Sequence, residues 1–305
     1  MPAVFKRVSR RGGGPSCNAA HGFPLKDCGN DVPEFFFAPR DHPQLAQLRR
    51  GVIIIGASGK SSSVSAELSH NLALVTGAGR GIGRAIALRL ARAGCDLALV
   101  ARTQAELEAV AAQAEPRGAR TLVLPADITD DRQVESLLQR AAVQLGTISI
   151  LVNNAGCAPP RTRIGKVAMA EWDRVLATCL RAPMVLSRLV LPDMLAQRRG
   201  AIINIGSLAA RAARPGEAAY AAAKAGLAAF TRTLFAEVRG SGIKVAVICP
   251  GYVDTDLVPA SRRVDRSKFL QPEDVAEMVF QVLTSPARAC PAEVVIQPQF
   301  DPDRP

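Results

Sequence analysis

Histidine is missing from residues 71–305 of this 305-residue chain, because His21, His42 and His70 all lie upstream. That absence excludes a Ser-His-Asp or Cys-His hydrolase and any His-ligated zinc site from the main body of the chain. Aromatic residues are scarce, at 4%, too few for the stacking platforms of a single-strand nucleic-acid binder. The formal charge of +11 is dispersed rather than clustered, which suits attraction of phosphorylated or acidic small molecules and predicts no nucleic-acid partner. No apolar run approaches the roughly 18–20 residues of a membrane span, so no membrane partner is expected. Seven cysteines lie at irregular spacing without a C-x-x-C pair. An odd, scattered set argues against a disulfide framework and for a reducing, cytoplasmic setting, with the thiols serving mainly as small core residues. No metal site is expected.

Residues 1–69 differ from the rest. They carry Gly12-Gly13-Gly14-Pro15, repeated prolines, the cluster Phe35-Phe36-Phe37 and the run Ser61-Ser62-Ser63. This composition predicts a largely disordered N-terminal extension with one short helix around residues 44–50. The stretch Gly56-Ala57-Ser58-Gly59-Lys60-Ser61 is not a P-loop, since Ile54 stands where its first glycine belongs. Lys6, Arg7, Arg10 and Arg11, with no acid before Asp27, give a transit-peptide charge pattern, but glycine and proline oppose an amphipathic helix there. A start at Val64 would leave the folded body of the chain intact.

From Asn71 onward, apolar strands alternate with amphipathic helices. Strands read at 71–76, 96–101, 120–126, 148–153, 201–206, 243–249 and 293–297. Helices read at 82–94, 103–116, 130–145, 168–198, 215–240 and 272–284. Apolar strands separated by helices predict a parallel sheet covered on both faces. The expectation is one α/β domain over residues 70–298, a doubly wound Rossmann fold of seven parallel strands, with a short tail at 299–305.

The first strand, Leu72-Ala73-Leu74-Val75, runs through Thr76-Gly77-Ala78-Gly79-Arg80-Gly81-Ile82-Gly83 into a helix. Glycines 77, 79, 81 and 83 let the backbone turn tightly and approach a pyrophosphate resting at the helix N-terminus, which Ile82 helps to open. A glycine-rich turn alone is a weak sign. Between the first strand and first helix of a βαβ unit it becomes a dinucleotide-binding signature. The second strand ends at Ala101, followed by Arg102. An acid there would accept from a ribose 2′-hydroxyl, whereas an arginine pairs with a 2′-phosphate. NADP(H) is therefore expected over NAD(H), with Arg80 as a second cation. Asp127 and Ile128, ending the third strand, are placed to flank the adenine. Asn154, Ala155 and Gly156, ending the fourth, lie where open α/β sheets bind ligands. Asn153 is left open between a ligand contact and a structural tie between strands.

Ser207 follows the fifth strand, and Tyr220 and Lys224 come next, spaced i, i+4 on one helix face. Reducing a carbonyl requires a proton donor for the developing alkoxide. A tyrosine hydroxyl ordinarily titrates near ~10 and serves at neutral pH only beside a cation that stabilises its phenolate. Lys224 can supply that cation and reach a nicotinamide ribose, while Ser207 holds the substrate oxygen.

These motifs, with Asn153-Asn154-Ala155-Gly156 and Pro250-Gly251, resemble the classical short-chain dehydrogenase/reductase family over residues 70–298. The resemblance implies Tyr220 as acid/base, Lys224 as its partner and Ser207 as carbonyl orienter. It also implies that Pro250, Gly251 and Thr255 border the nicotinamide, and that the Val253 backbone bonds its amide. A homodimer or homotetramer is implied through the small-residue helix carrying Tyr220 and its long predecessor. The family's usual fourth catalytic residue is an asparagine in that long helix; here Cys179 aligns with it. A thiol cannot replace an amide's paired donor and acceptor. Slowed turnover is therefore expected, with Thr178 or a held water as substitute relay.

The expected partner is a small-molecule carbonyl or hydroxyl substrate, shaped by residues 157–165 and by a lid over 252–270. Arg262, Arg263, Arg266 and Lys268 make that lid basic, mainly as a solvated loop. The body of the chain is similar to 3-oxoacyl-(acyl-carrier-protein) reductases. The ending through Val294-Val295-Ile296-Gln297-Pro298-Gln299 instead resembles NADP-dependent 3-hydroxy acid dehydrogenases. Two alternatives stand beside this: a cofactor-binding scaffold that has lost catalysis at Cys179, and an NAD-dependent alcohol or steroid dehydrogenase.

Overall fold

Successive residues of a strand point to opposite faces of its sheet, and in this chain both directions are apolar. In β1 (Leu72–Thr76), Ala73 and Val75 join one hydrophobic layer while Leu72 and Leu74 join the other. The computed structural model describes residues 68–258 and 264–302. The expected disorder and short helix of the N-terminal extension lie outside the described residues, as do Arg262 and Arg263.

The elements after β1 are α1 (Gly81–Arg92), β2 (Asp96–Ala101), α2 (Gln104–Ala114), β3 (Thr121–Pro125), α3 (Asp131–Leu145) and β4 (Ile150–Asn153). Then come α4 (Met169–Leu176), a π-helical turn (Ala177–Arg181), α5 (Ala182–Gln197), β5 (Gly200–Ile205), α6 (Ala218–Val238), β6 (Ile243–Pro250), α7 (Pro272–Thr284) and β7 (Glu293–Ile296). The seven strands are parallel in the order β3-β2-β1-β4-β5-β6-β7. This is the doubly wound sheet that the alternating pattern predicts.

Ile86 and Leu90 of α1, Leu107 of α2 and Val279 of α7 pack on one face of the sheet. Val134 and Leu137 of α3, Leu186 of α5 and Leu234 of α6 pack on the other. Helix starts are specified locally. The Asp130 carboxylate accepts from the Arg132 and Gln133 N–H groups to cap α3, and Gln271 and Asp274 form a capping box over Pro272 at the start of α7. Because β1 lies between β2 and β4, the strand order reverses beside it and opens a crevice above the strand carboxyl ends.

The single helix expected over 168–198 is divided. Pro183 has no N–H to donate four residues back to Cys179, and its ring crowds that carbonyl. The backbone responds with a π turn, in which the Ala182 N–H reaches the Ala177 carbonyl. The run Met169–Gln197 also contains an 18-residue window of mean hydropathy 1.4, long and apolar enough to cross a bilayer by length and composition alone. That differs from the sequence expectation. The fold buries 39% of that window, including Leu186 and Val190.

Candidate active site

The turn after β1 depends on glycine. Gly77 and Gly81 have φ of +65° and +52°, values that strain any side chain. A Cβ on Gly83 would stand 2.0 Å from the Gly77 carbonyl oxygen. Helix α1 begins without a side-chain cap and without an acid in its first turn, which leaves its leading N–H groups for an anion. The turn is also tied to the end of β4. The Asn154 and Ala155 N–H groups donate to Thr76 Oγ1 at 3.0 and 3.1 Å. The Asn154 side-chain amide donates to the Thr76 and Gly77 carbonyls at 3.0 and 3.2 Å. A cradle this tight suits a dinucleotide pyrophosphate, whose approach side chains would block.

Arg102 is exposed and makes no hydrogen bond or ion pair among the described residues. Arg80 has company instead, 3.9 Å from Glu106 and 3.8 Å from Asp256. Glu106, which sequence reasoning missed, packs under the turn, with a carboxylate oxygen 2.8 Å from where a Gly79 Cβ would be. At the end of β3, the Asp127 carboxylate accepts from the Thr129 N–H and hydroxyl, at 2.9 and 2.7 Å, and Ile128 is buried.

A cleft of about 1140 Å³ gathers most of the predicted site. Its lining includes Gly77, Arg80, Gly81, Ile82, Asn154, Ala155 and Gly156 from the cofactor end. Ser207, Tyr220, Lys224, Pro250, Gly251, Val253 and Thr255 line the same space. Gly79, Gly83, Arg102, Asp127 and Ile128 stand outside that lining. Lys224 is 4% exposed. Its Nζ donates to the Ile205 carbonyl at 2.7 Å and lies 5.8 Å from the Tyr220 ring centroid. Ser207 Oγ accepts the Ala209 N–H at 3.1 Å. The Thr255 methyl packs on the glycine turn, 3.2 Å from the position of a Gly81 Cβ. Val253 is buried and bridged to Leu270.

Asn153, left open by the sequence, is structural. Its amide donates to Asn204 Oδ1 at 2.8 Å, Asn204 donates to Thr231 Oγ1 at 2.8 Å, and Thr231 donates to the Leu227 carbonyl at 2.7 Å. This buried chain fixes β4, β5 and α6, and so fixes Tyr220 relative to the sheet. Across the cleft, Tyr252 stacks on Phe269 with ring centroids 5.0 Å apart and accepts a hydrogen bond from Arg214. Arg266 is not a solvated lid cation: it pairs with Asp254 and donates to the Val258 and Thr255 carbonyls. Lys268 lies 3.6 Å from Asp265. The described part of the tail borders the cleft through Gln299, Asp301 and Pro302.

Cys179 lies in the π turn, fully buried. Its sulfur and Lys224 Nζ are 3.7 and 3.8 Å from the position of a Gly156 Cβ, so both border one small space. The Thr178 hydroxyl, offered as a substitute relay, donates back to the Arg174 carbonyl at 2.8 Å. The Cys157 side chain, then the Lys224 charge, hold the Cys179 thiol below the ordinary value of 9.0, at about 6. Holding the thiolate in the fold adds stability as pH rises from about 6 toward 9.0 and loses it as pH falls through about 6, while above 9.0 the raised Cys157 thiol works in the opposite direction. Cys179→Ser is therefore expected to widen its melting-temperature deficit against wild type as pH rises from 6 toward 9. Parallel pH profiles for the two proteins would refute a folded-state thiolate.

Residues 71–265 match the family model for short chain dehydrogenases. An uncharacterized oxidoreductase of Staphylococcus aureus is 34% identical over 231 residues, covering 76% of this chain and 98% of the relative. A 3-oxoacyl-[acyl-carrier-protein] reductase of Synechocystis is 33% identical, over 73% of this chain and 92% of its own length. Among solved structures, a metagenomic short-chain oxidoreductase in complex with NADP is similar at 31% identity and a TM-score of 0.67, covering 77% of this chain and 100% of that one. A blue fluorescent protein from a metagenomic library, in complex with NADPH, aligns at 34% identity and a TM-score of 0.69, over 77% and 99% of the two chains.

Proposed function

Because the chain belongs to the short-chain dehydrogenase family of oxidoreductases, we propose that it interconverts a carbonyl and its secondary alcohol with NADP(H), using Tyr220 as acid/base. The substrate is a 3-oxoacyl or small 3-hydroxy or keto compound. One observation carries this: Ser207, Tyr220 and Lys224 line the same cleft as the glycine turn. The choice of NADP(H) is supported by Arg102, free among the described residues, and by the NADP and NADPH held by similar structures.

Gly77, Gly81, Ile82 and the α1 N-terminus would hold the pyrophosphate, Arg102 and Arg80 the 2′-phosphate, and Asp127 and Ile128 the adenine. Gly79 and Gly83 keep side chains off the turn, and Asn154 and Ala155 brace it. Gly156, Pro250, Gly251, Val253 and Thr255 would border the nicotinamide. When bound, that ring supplies or accepts the hydride. Ser207 orients the substrate oxygen toward Tyr220. The Tyr220 hydroxyl gives its proton to that oxygen as negative charge grows there, and takes it back in the alcohol direction. The Lys224 ammonium, fixed on the Ile205 carbonyl, stabilises the charge left on the ring oxygen. Trp172 and Leu208 supply apolar contact for a short acyl chain. A homodimer through α6 and the helix before it is part of the same proposal. Met184 and Leu195, three turns apart on α5 and 41% and 40% exposed, offer it apolar contact.

NADPH consumption against a panel of ketones, 3-oxoesters and diketones tests this function. Turnover of at least one carbonyl is expected. Tight NADPH binding without turnover would favour the alternative that Cys179 suggests, a cofactor-binding scaffold. Arg102→Ala is expected to lower kcat/KM with NADPH by roughly 10–100-fold, from the ~1.5–3 kcal/mol of a charged hydrogen bond, and to leave NADH little changed. Equal efficiency with both cofactors, unaffected by the substitution, would refute the 2′-phosphate contact.

A further inference from the structure

We propose that Cys157 and Cys179 form a redox-reactive pair, closed to a reversible disulfide by a peroxide-class oxidant, and that closure stops turnover at the adjacent site. Cys157 is on the loop after β4, directly following Gly156, and Cys179 is on the π turn. The Cys179 sulfur accepts the Cys157 N–H at 3.4 Å and lies 3.5 Å from the Cys157 carbonyl oxygen. Lying against both backbone groups of residue 157 puts that sulfur within a side-chain rotation of the Cys157 thiol. The Cys157 thiol hydrogen-bonds with the Cys179 and Thr178 side chains and makes a long 4.0 Å contact to the Arg174 carbonyl. Cys95 and Cys290 donate instead to the distant Leu68 and Val245 carbonyls.

The two thiols differ in the way a reactive pair requires. Cys157 is partly exposed and can meet a small oxidant, whereas Cys179 is buried beside Lys224, which favours its thiolate. The hydrogen bond to Cys179 pushes the Cys157 thiol up, so it keeps its proton until the Cys179 thiolate, acting as general base, draws it off while the Cys157 sulfur attacks hydrogen peroxide. A sulfur–oxygen bond forms, the oxygen–oxygen bond breaks, and the leaving hydroxide takes the proton from Cys179 to become water. The Cys179 thiolate then attacks the Cys157 sulfenic acid. A sulfur–sulfur bond forms, and the second oxygen leaves as hydroxide. Two electrons pass from the sulfurs to the peroxide.

Bringing the sulfurs to about 2 Å removes the Cys157 N–H from its partner and pulls on Gly156, which borders Lys224 Nζ. The link itself does not depend on the carbonyl-reductase reading, although the loss of turnover rests on it. The test treats the full chain with hydrogen peroxide, then digests it without reduction. A peptide pair joined through Cys157 and Cys179, lost with dithiothreitol, is the expected result, with NADPH turnover falling and returning in parallel. Unlinked thiols, sulfinic or sulfonic acids at these positions, or links to other cysteines would overturn the pair. Cys157→Ser is expected to retain its own starting turnover after peroxide; a loss matching that of wild type overturns the inactivation. A wild type that links but never reduces a carbonyl refutes the enzymatic reading and leaves the disulfide standing.

Discussion

Replacing Tyr220 with phenylalanine is expected to lower kcat by roughly 10²–10⁴-fold, the usual range for losing a positioned general acid, with NADPH affinity changed only a few-fold. The ring itself stays in place, because it packs with Val175, Cys179 and Ala223 whether or not it carries a hydroxyl. Histidine is missing from the whole of residues 71–305, and the Lys224 ammonium is committed to the Ile205 carbonyl. Separating chemistry from binding requires single-turnover rates beside an NADPH titration. A variant with near-normal kcat would remove Tyr220 from the acid/base role, and one that no longer binds NADPH would make its contribution structural.

Gly83→Ala is expected to be more damaging than one methyl group suggests. Its Cβ would fall 2.0 Å from the Gly77 oxygen and 2.5 Å from the Asn154 amide nitrogen, distances no real contact tolerates. Neither neighbour is the free end of a flexible chain: one is backbone, and the other is the clip joining the turn to β4. Overpacking of this kind costs ~1–3 kcal/mol, which lowers the melting temperature of a domain this size by roughly 2–12 °C. Because relief must come from the turn itself, NADPH affinity is expected to fall at least tenfold (about 1.4 kcal/mol). Gly118→Ala is the control, since Gly118 also has a positive φ, +82°, but nothing within 4 Å of an added Cβ. It is expected to lose stability and keep its affinity for NADPH. Undiminished NADPH affinity in Gly83→Ala would mean that this turn does not cradle the cofactor.

The strands were legible almost to the residue because both faces of a parallel sheet are buried, so each strand is a short apolar run bounded by polar turns. The shared helix face of Tyr220 and Lys224 on α6 was legible because their spacing is fixed by helix geometry. What stayed hidden depends on residues far apart in the chain. Asn204 and Thr231 look like ordinary polar residues of a strand and a helix until the fold stacks them beneath Asn153. Arg266 reads as a solvated lid cation, yet its partner Asp254 is twelve residues away across a turn. The π turn was visible only as Pro183 inside an otherwise continuous helical pattern. Nothing in the spacing reveals that Cys179 reaches back to Cys157.

The tie between Thr76 and the Asn154–Ala155 backbone joins two segments 78 residues apart in the chain. The crevice they form is therefore a seam between the two halves of the sheet. A dinucleotide lying across that seam acts as a rivet: any opening that parts β1 from β4 must also expel it. Occupancy and cohesion then become one equilibrium, worth about 2.7 kcal/mol of added stability when the free ligand stands at a hundred times its Kd. A bound dinucleotide is accordingly expected to shield the chain from global unfolding, and from proteolysis of the unfolded state, by that same margin.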